Sequence, residues 1–64
     1  MKIKTNYIKF LMNGMTVKEL AEKTNISYTW LSTVLARGKA SMNLVNKIAS
    51  VLDADPLDIV IVED

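Results

Sequence analysis

Apolar side chains recur at helical spacing after Thr16, and polar residues mark the start and end of the element. Thr16 and Glu19 match a capping box, in which the Thr hydroxyl accepts a hydrogen bond from the amide three residues on. Asn25 is one of the few residue types that adopts the left-handed conformation of a helix end. Three apolar residues between them share one face, with charged residues outside: Val17, Leu20 and Ala21. The pattern predicts a helix from Thr16 to about Thr24.

The next segment predicts a second helix with a divided surface, from Tyr28 to about Ala36, with Ser27 as its cap. At about 100 degrees per residue, its apolar arc consists of Trp30, Leu31, Val34 and Leu35. The opposite arc is polar or small and uncharged, and consists of Tyr28, Thr29, Ser32, Thr33 and Ala36. An ordinary solvated face is the alternative, but such faces usually carry Lys and Glu. The two helices predict a helix-turn-helix at about residues 16–36.

The rest of the chain predicts three more helices joined by short turns. One covers residues 5–12, and Asp55 followed by Pro56 predicts a short final one. Ser41 can cap the helix between them, whose buried stripe consists of Leu44, Val45, Ile48, Ala49 and Leu52. Five helices in 64 residues predict one compact all-α domain spanning residues 1–64.

The chain ends on a β-branched apolar run, residues 59–62, which cannot hide on one face of a helix. An apolar terminus on a small domain often marks an association site. We therefore expect residues 59–64 to form an association tail that pairs with a second copy. The predicted dimerisation residues are Leu57, Ile59, Val60, Ile61 and Val62. The alternative is that the run folds back and covers the domain's own core.

Composition narrows the class of protein. There are no Cys and no His, so we expect no disulfide and no metal site, and half of the residues are hydrophobic, as in a packed domain. Without a Gly-rich phosphate loop or a recognisable catalytic pair of carboxylates, we also expect no enzyme activity and no cofactor. No apolar run is long enough for a signal sequence or a membrane span, so we expect a cytoplasmic protein without membrane contact.

The net charge of +1 hides an uneven distribution along the chain. Residues 1–47 contain all eight basic residues and two of the seven acidic ones, whereas residues 48–64 contain the other five acidic residues. Such an asymmetry favours nucleic-acid contact by the basic part, because Lys and Arg that neutralise phosphates release counterions. The alternative is a chance imbalance in a short chain.

Residues 5–60 carry a pattern typical of one family: V-x-x-L-A-x-x-x-N-I-S-x-x-x-L-S-x-V, then R-G-K, N-K-I-A-x-x-L and D-P-L-D. The chain resembles the Cro/repressor (Xre-type) helix-turn-helix family of phage and bacterial DNA-binding proteins. The resemblance implies a compact five-helix, lambda-repressor-like fold. Val17 and Asn25 depart from the Gln and Gly that many members have, and residues 34–38 are one residue longer than is common.

The resemblance also implies which residues contact DNA. Base edges would be read by Tyr28, Thr29, Ser32 and Thr33. Their hydroxyls can donate to or accept from base edges, and the Thr methyls and the Tyr ring can touch a thymine methyl. Phosphates would be bound by Thr16, Lys18, Ser27, Arg37, Lys39 and Ser41. Val17 can make no side-chain bond to a phosphate. Trp30 borders the apolar arc, so we expect its ring at the edge of the core; the alternative is an indole N–H that reaches a phosphate.

The implied function is that of a small Cro-type repressor in a bacterial cell or phage-infected host. It would occupy a double-stranded DNA operator as a homodimer, with no small-molecule ligand. The alternative from another class is a protein-interaction module, antirepressor or antitoxin-like, that uses the apolar acidic C-terminal end.

Overall fold

Five helices form within residues 1–62, the part of the chain that this computed structural model describes. A capping side chain starts four of them, and a left-handed residue ends four. The helices are α1 (Thr5–Met12), α2 (Val17–Thr24), α3 (Tyr28–Arg37), α4 (Met42–Leu52) and α5 (Pro56–Ile59). The predicted all-α fold is confirmed, and α2 and α3 form the predicted helix-turn-helix.

Each of the four predicted caps lies in place at a helix start. The Thr16 hydroxyl accepts from the Glu19 amide at 3.1 Å, and the Ser27 hydroxyl accepts from the amide three residues on at 3.1 Å. The other two are the Ser41 hydroxyl, at 3.3 Å from the Leu44 amide, and the Asp55 carboxylate, at 2.9 Å from the Leu57 amide. These side chains satisfy amides that have no partner within their helix.

Left-handed residues end the first four helices. Asn13 ends α1 with a φ angle of 47°. Asn25 ends α2 with a φ angle of 59°, as the sequence predicts. Gly38 ends α3 with φ 71°. Asp53 ends α4 with φ 55°, although its sequence signal is weak because Asp visits this region less readily than Gly.

The core is formed by apolar residues from all five helices. Ile8, Leu20, Leu31, Ile48 and Ile59, one from each helix, are completely buried. Thr24 is the buried polar residue of the core within the described part of the chain, and its hydroxyl donates to the Leu20 carbonyl at 2.8 Å. The helices therefore pack around a single apolar centre.

A short β-like assembly, which we call the terminal ladder, joins residues 1–4, 38–40 and 59–61. The amide of Ile3 donates to the Gly38 carbonyl at 2.9 Å, and that of Ala40 donates to the Met1 carbonyl at 2.9 Å. On the other side, the backbone amide of Lys4 donates to the Ile59 carbonyl at 2.8 Å, and the backbone amide of Ile61 donates to the Lys2 carbonyl at 2.9 Å. Residues 1–4 thus lie between two antiparallel neighbours. The sequence pattern above predicts no element there.

The ladder corrects part of the predicted association tail. Ile59 and Val60 are buried in the chain's own core, and Val60 lies opposite Ile3 in the ladder. The prediction that these two side chains contact a second copy is therefore wrong, because the run folds back at that point and covers them. Leu57, Ile61 and Val62 are exposed. Glu63 and Asp64, the end of the predicted tail, lie outside the described residues.

Candidate nucleic-acid interface

One face of α3 is held against the core, which fixes the opposite face outward. Leu31, Val34 and Leu35 are buried, and the Ser27 cap anchors the first turn of the helix. A groove between α2 and α3 runs along one side of the exposed face, and a second groove between α3 and the start of α4 runs along the other. The outward face of α3 therefore lies between two grooves.

The four predicted base-reading residues are not equally accessible. Tyr28, Thr29 and Thr33 are exposed, whereas Ser32 is half-buried. Tyr28 also lines the groove between α2 and α3. Thr29, Thr33 and the neighbouring Ala36 form the centre of the exposed face, which carries no charge.

The two threonines differ in what their hydroxyls can do. Thr33 Oγ1 donates to the Thr29 carbonyl at 2.9 Å, one helical turn back. Its hydroxyl hydrogen is therefore engaged, and the group remains an acceptor with an accessible methyl. The Thr29 hydroxyl makes no hydrogen bond within residues 1–62, so it can both donate and accept.

Three of the predicted phosphate-binding residues lie at the starts of α2 and α3. Lys18 and Ser27 line the same groove as Tyr28. Thr16 Oγ1, however, donates to the Glu19 carboxylate at 3.3 Å. A phosphate at the start of α2 would have to displace this bond beside a negative charge, so the Thr16 hydroxyl is less suited to an anion than that of Ser27.

The other three predicted phosphate-binding residues come together on the opposite side of α3. Arg37 is the last residue of α3, Lys39 belongs to the terminal ladder, and Ser41 caps α4. All three line the groove between α3 and the start of α4, which we call the basic groove. The ladder is what places Lys39 there, because residues 38–40 are hydrogen-bonded to residues 1–3.

Trp30 does not lie where the sequence pattern predicts. Its side chain is 51% exposed, so the expectation of a ring at the edge of the core is wrong. Trp30 lines the basic groove instead. Around the axis of α3, Trp30 lies about 40 degrees beyond Val34, the last of the buried residues on that side. The facing segment carries the small residues Ala40 and Ser41, which leave the ring uncovered.

The charge asymmetry along the chain does not give separate basic and acidic surfaces near the terminal ladder. The ladder places residues 2–4 beside residues 59–61, and Lys4 and Asp58 line one surface groove. On the α2 side of α3, Lys18 lines the groove together with the acidic Glu22. The net positive charge that borders α3 therefore comes from Arg37 and Lys39 on the other side. Within residues 1–62, none of the helices is long and apolar enough to cross a membrane.

Comparison with known proteins identifies the helix-turn-helix. The family model of the Cro/C1-type HTH DNA-binding domain matches residues 11–64, which is most of the chain. The match includes all of α2, α3, α4 and α5. It confirms the resemblance to the Cro/repressor (Xre-type) family. No curated protein and no solved structure matches the chain.

Proposed function

The chain belongs to the Cro/C1-type helix-turn-helix DNA-binding family, and from this premise we propose that it represses transcription by occupying a double-stranded DNA operator as a homodimer. As a member of that family it is a DNA-binding regulator of transcription. The repressor mechanism, the dimer, the operator and an action in the bacterial cytoplasm are the proposal. α3 enters the major groove, and the bound dimer blocks access of the polymerase.

The observation that carries the proposal is the arrangement of side chains on and around α3. An uncharged face with exposed Tyr28, Thr29 and Thr33 lies between two grooves whose polar residues can bind phosphates. Phosphate contacts fix the orientation of a protein on the duplex, and base contacts select the sequence. Lys18 and Ser27 on one side, and the basic groove on the other, would hold α3 between the two DNA backbones.

A second copy is part of the proposal because one copy is small. Specific protein–DNA complexes bury about 1,000–2,500 Å² of protein surface, and a single small module supplies the lower end of that range or less. Two copies would place two α3 helices on half-sites about 34 Å apart. The exposed apolar residues near the terminal ladder support a contact between copies: Met1, Met42, Leu57, Ile61 and Val62, which line one groove.

The terminal ladder also supports pairing between copies by its open edge. The Ile59 carbonyl and the Ile61 amide bond to residues 1–4. The backbone groups of residues 60 and 62 therefore point to the other side of the strand. Within the described residues, that edge makes no ladder hydrogen bond. An open edge with exposed Ile61 and Val62 can pair with its own copy about a twofold axis.

The most direct test is binding to a duplex that contains the region upstream of the gene, titrated with salt. We expect affinity to fall steeply as salt rises, since each neutralised phosphate contributes about −0.9 to the slope of log K against log salt. A shuffled duplex of equal length is the control, and it should bind more weakly. A folded protein with no detectable affinity at low salt would exclude the repressor and favour the protein-interaction module.

The dimer is tested by sedimentation of two matched variants. Val62 and Phe10 are similarly exposed, at 74% and 76%. Of these two, Val62 alone lines the groove of exposed apolar residues near the terminal ladder. We expect Val62→Ser, in combination with Ile61→Ser, to lower the dimer fraction, and Phe10→Ser to leave it unchanged. If the wild type sediments as a single chain both alone and on its operator, the dimer proposal is wrong.

A further inference from the structure

Trp30 is the chain's only Trp, and it leaves half of its surface uncovered on the helix that carries the candidate base-reading face. Its backbone lies in the first turn of α3, where its own amide donates to the Ser27 hydroxyl. The indole N–H has no hydrogen-bond partner within residues 1–62. Trp30 therefore offers a free donor and a flat apolar surface at the side of α3.

The surroundings of Trp30 are cationic. It shares the basic groove with Arg37, which lies about two helical turns further along the same side of α3, and with Lys39 on the ladder segment. Ser41 lies at the far wall of the groove, and Val34 and Leu44 form its apolar floor. Among the residues of the described chain that line this groove, none is acidic. Such a groove favours an anion that also has an apolar portion.

We propose that Trp30 is a DNA-backbone contact: its indole N–H donates to a phosphate oxygen that Arg37 and Lys39 neutralise, and its ring packs on the adjacent deoxyribose. A phosphate–sugar strand supplies both the anion and the apolar portion that the groove fits. The inference rests on the proposed function, because it requires α3 to lie in the major groove. It adds Trp30 to the phosphate-binding residues, a contact that the sequence leaves as the alternative to a ring at the edge of the core.

A second copy of the chain is a poorer occupant of this groove. In a twofold contact the same surface occurs on both partners, so Arg37 and Lys39 would face their own counterparts. Like charges in such a contact oppose association. The apolar residues proposed for dimerisation, among them Leu57, Ile61 and Val62, line a different groove, whose one charged side chain among the described residues is that of Lys2. A second copy there would bring fewer like charges together than in the basic groove. Charge complementarity thus favours DNA in the basic groove.

Trp30→Phe separates the hydrogen bond from the ring. The substitution keeps an aromatic side chain and removes the N–H donor, so we expect affinity for DNA to fall roughly tenfold per half-site, as for a hydrogen bond to a charged group. The salt slope should not change, because a neutral donor releases no counterion. Lys39→Ala is the matched comparison: it should lower affinity and also flatten the slope by about one.

Intrinsic fluorescence supplies a readout that does not depend on any variant. With a single Trp in the chain, a change of emission on adding an arbitrary duplex at low salt reports on Trp30 directly. The probe can be of arbitrary sequence because a phosphate–sugar contact is independent of base sequence. Phe10→Leu, on an exposed aromatic residue outside the basic groove, is the control and should bind like the wild type.

The outcomes distinguish this inference from the proposed function. No binding of DNA by the wild type would remove both. Binding by the wild type with unchanged emission, and equal affinity of the Trp30→Phe variant, would overturn the contact and leave the repressor intact. A lower dimer fraction of Trp30→Phe in the absence of DNA would also overturn it, because Trp30 would then contact a second copy. If the variant does not fold, the fluorescence titration of the wild type alone decides the question.

Discussion

Hydrogen bonds between residues close in sequence hold the helix-turn-helix, whereas hydrogen bonds between residues far apart in sequence hold the terminal ladder. In the helix-turn-helix, the bonds from Glu19 to Thr16 and from Trp30 to Ser27 span three residues each. In the ladder, residue 1 bonds to residue 40, and residues 2–4 bond to residues 59–61. The local part forms the face that would contact DNA. The long-range part decides which apolar side chains remain for a partner.

The two regions also differ in how much each residue contributes to stability. A cap satisfies one or two amides and contributes about 1 kcal/mol to the free energy of unfolding. A buried Ile of the ladder removes a whole side chain from water, and truncating it costs about 2–5 kcal/mol. Because small domains have only about 5–15 kcal/mol in total, a single ladder residue accounts for a large fraction of the free energy of unfolding.

The largest expected effect is on the ladder. Ile3 and Ile61 are both in it, but Ile3 is 3% exposed and Ile61 is 43% exposed. We expect Ile3→Ala to lower the free energy of unfolding by about 2–4 kcal/mol, and Ile61→Ala to lower it by under about 1 kcal/mol at concentrations where the chain is monomeric. Urea denaturation measures both. Equal losses would contradict the distinction between the buried and exposed sides of the ladder.

A smaller loss of stability is expected from the helix-turn-helix. Ser27→Ala removes the cap of α3 and should lower the free energy of unfolding by about 1 kcal/mol. Ser50→Ala, on the exposed side of α4, is the matched control and should be neutral or slightly stabilising, because Ala is the best helix former. A loss for Ser50→Ala as large as that for Ser27→Ala would show that the cap is not the cause.

The smallest expected effect concerns DNA rather than stability. Thr29→Val and Thr33→Val each remove a hydroxyl and keep the branched shape. The Thr29 hydroxyl is free to bond to a base, whereas the Thr33 hydroxyl already donates to the Thr29 carbonyl. We expect Thr29→Val to reduce the preference for the operator over a shuffled duplex by roughly two- to fivefold per half-site, in the range of one neutral hydrogen bond. A larger loss for Thr33→Val would reverse their order in base reading.

The ladder also positions part of the candidate DNA interface. Residues 38–40 lie between α3 and α4, and their hydrogen bonds to residues 1–3 hold Lys39 beside Arg37 and Trp30. A change at Ile3 that spares folding should therefore also weaken DNA binding, without touching α3. The local and long-range regions meet in the basic groove.

Part of the ladder could have been predicted. Met1, Lys2, Ile3 and Lys4 alternate between apolar and polar, which is the period of a strand with one buried face. The β-branched run at residues 59–62 carries a strand propensity of its own. Neither signal identifies the partner, because four residues of alternation fit a neighbour anywhere in the chain or in a second copy.

The sequence by itself determined the helices, their caps and the family of the chain. Thr16, Ser27, Ser41 and Asp55 cap as predicted, since a side chain reaches an amide two or three residues on through local geometry alone. Asn25 ends α2 for the same kind of reason, because its left-handed conformation depends on its own backbone.

Only the tertiary structure decided which apolar residues are hidden and which basic residues share a groove. Ile59 and Val60 are buried because residues 1–4 lie beside them, and Trp30 is exposed because the facing segment is too small to cover it. Periodicity assigns a side chain to a face of its own helix. What lies opposite that face depends on how segments that are distant in sequence pack, and no local pattern specifies that packing.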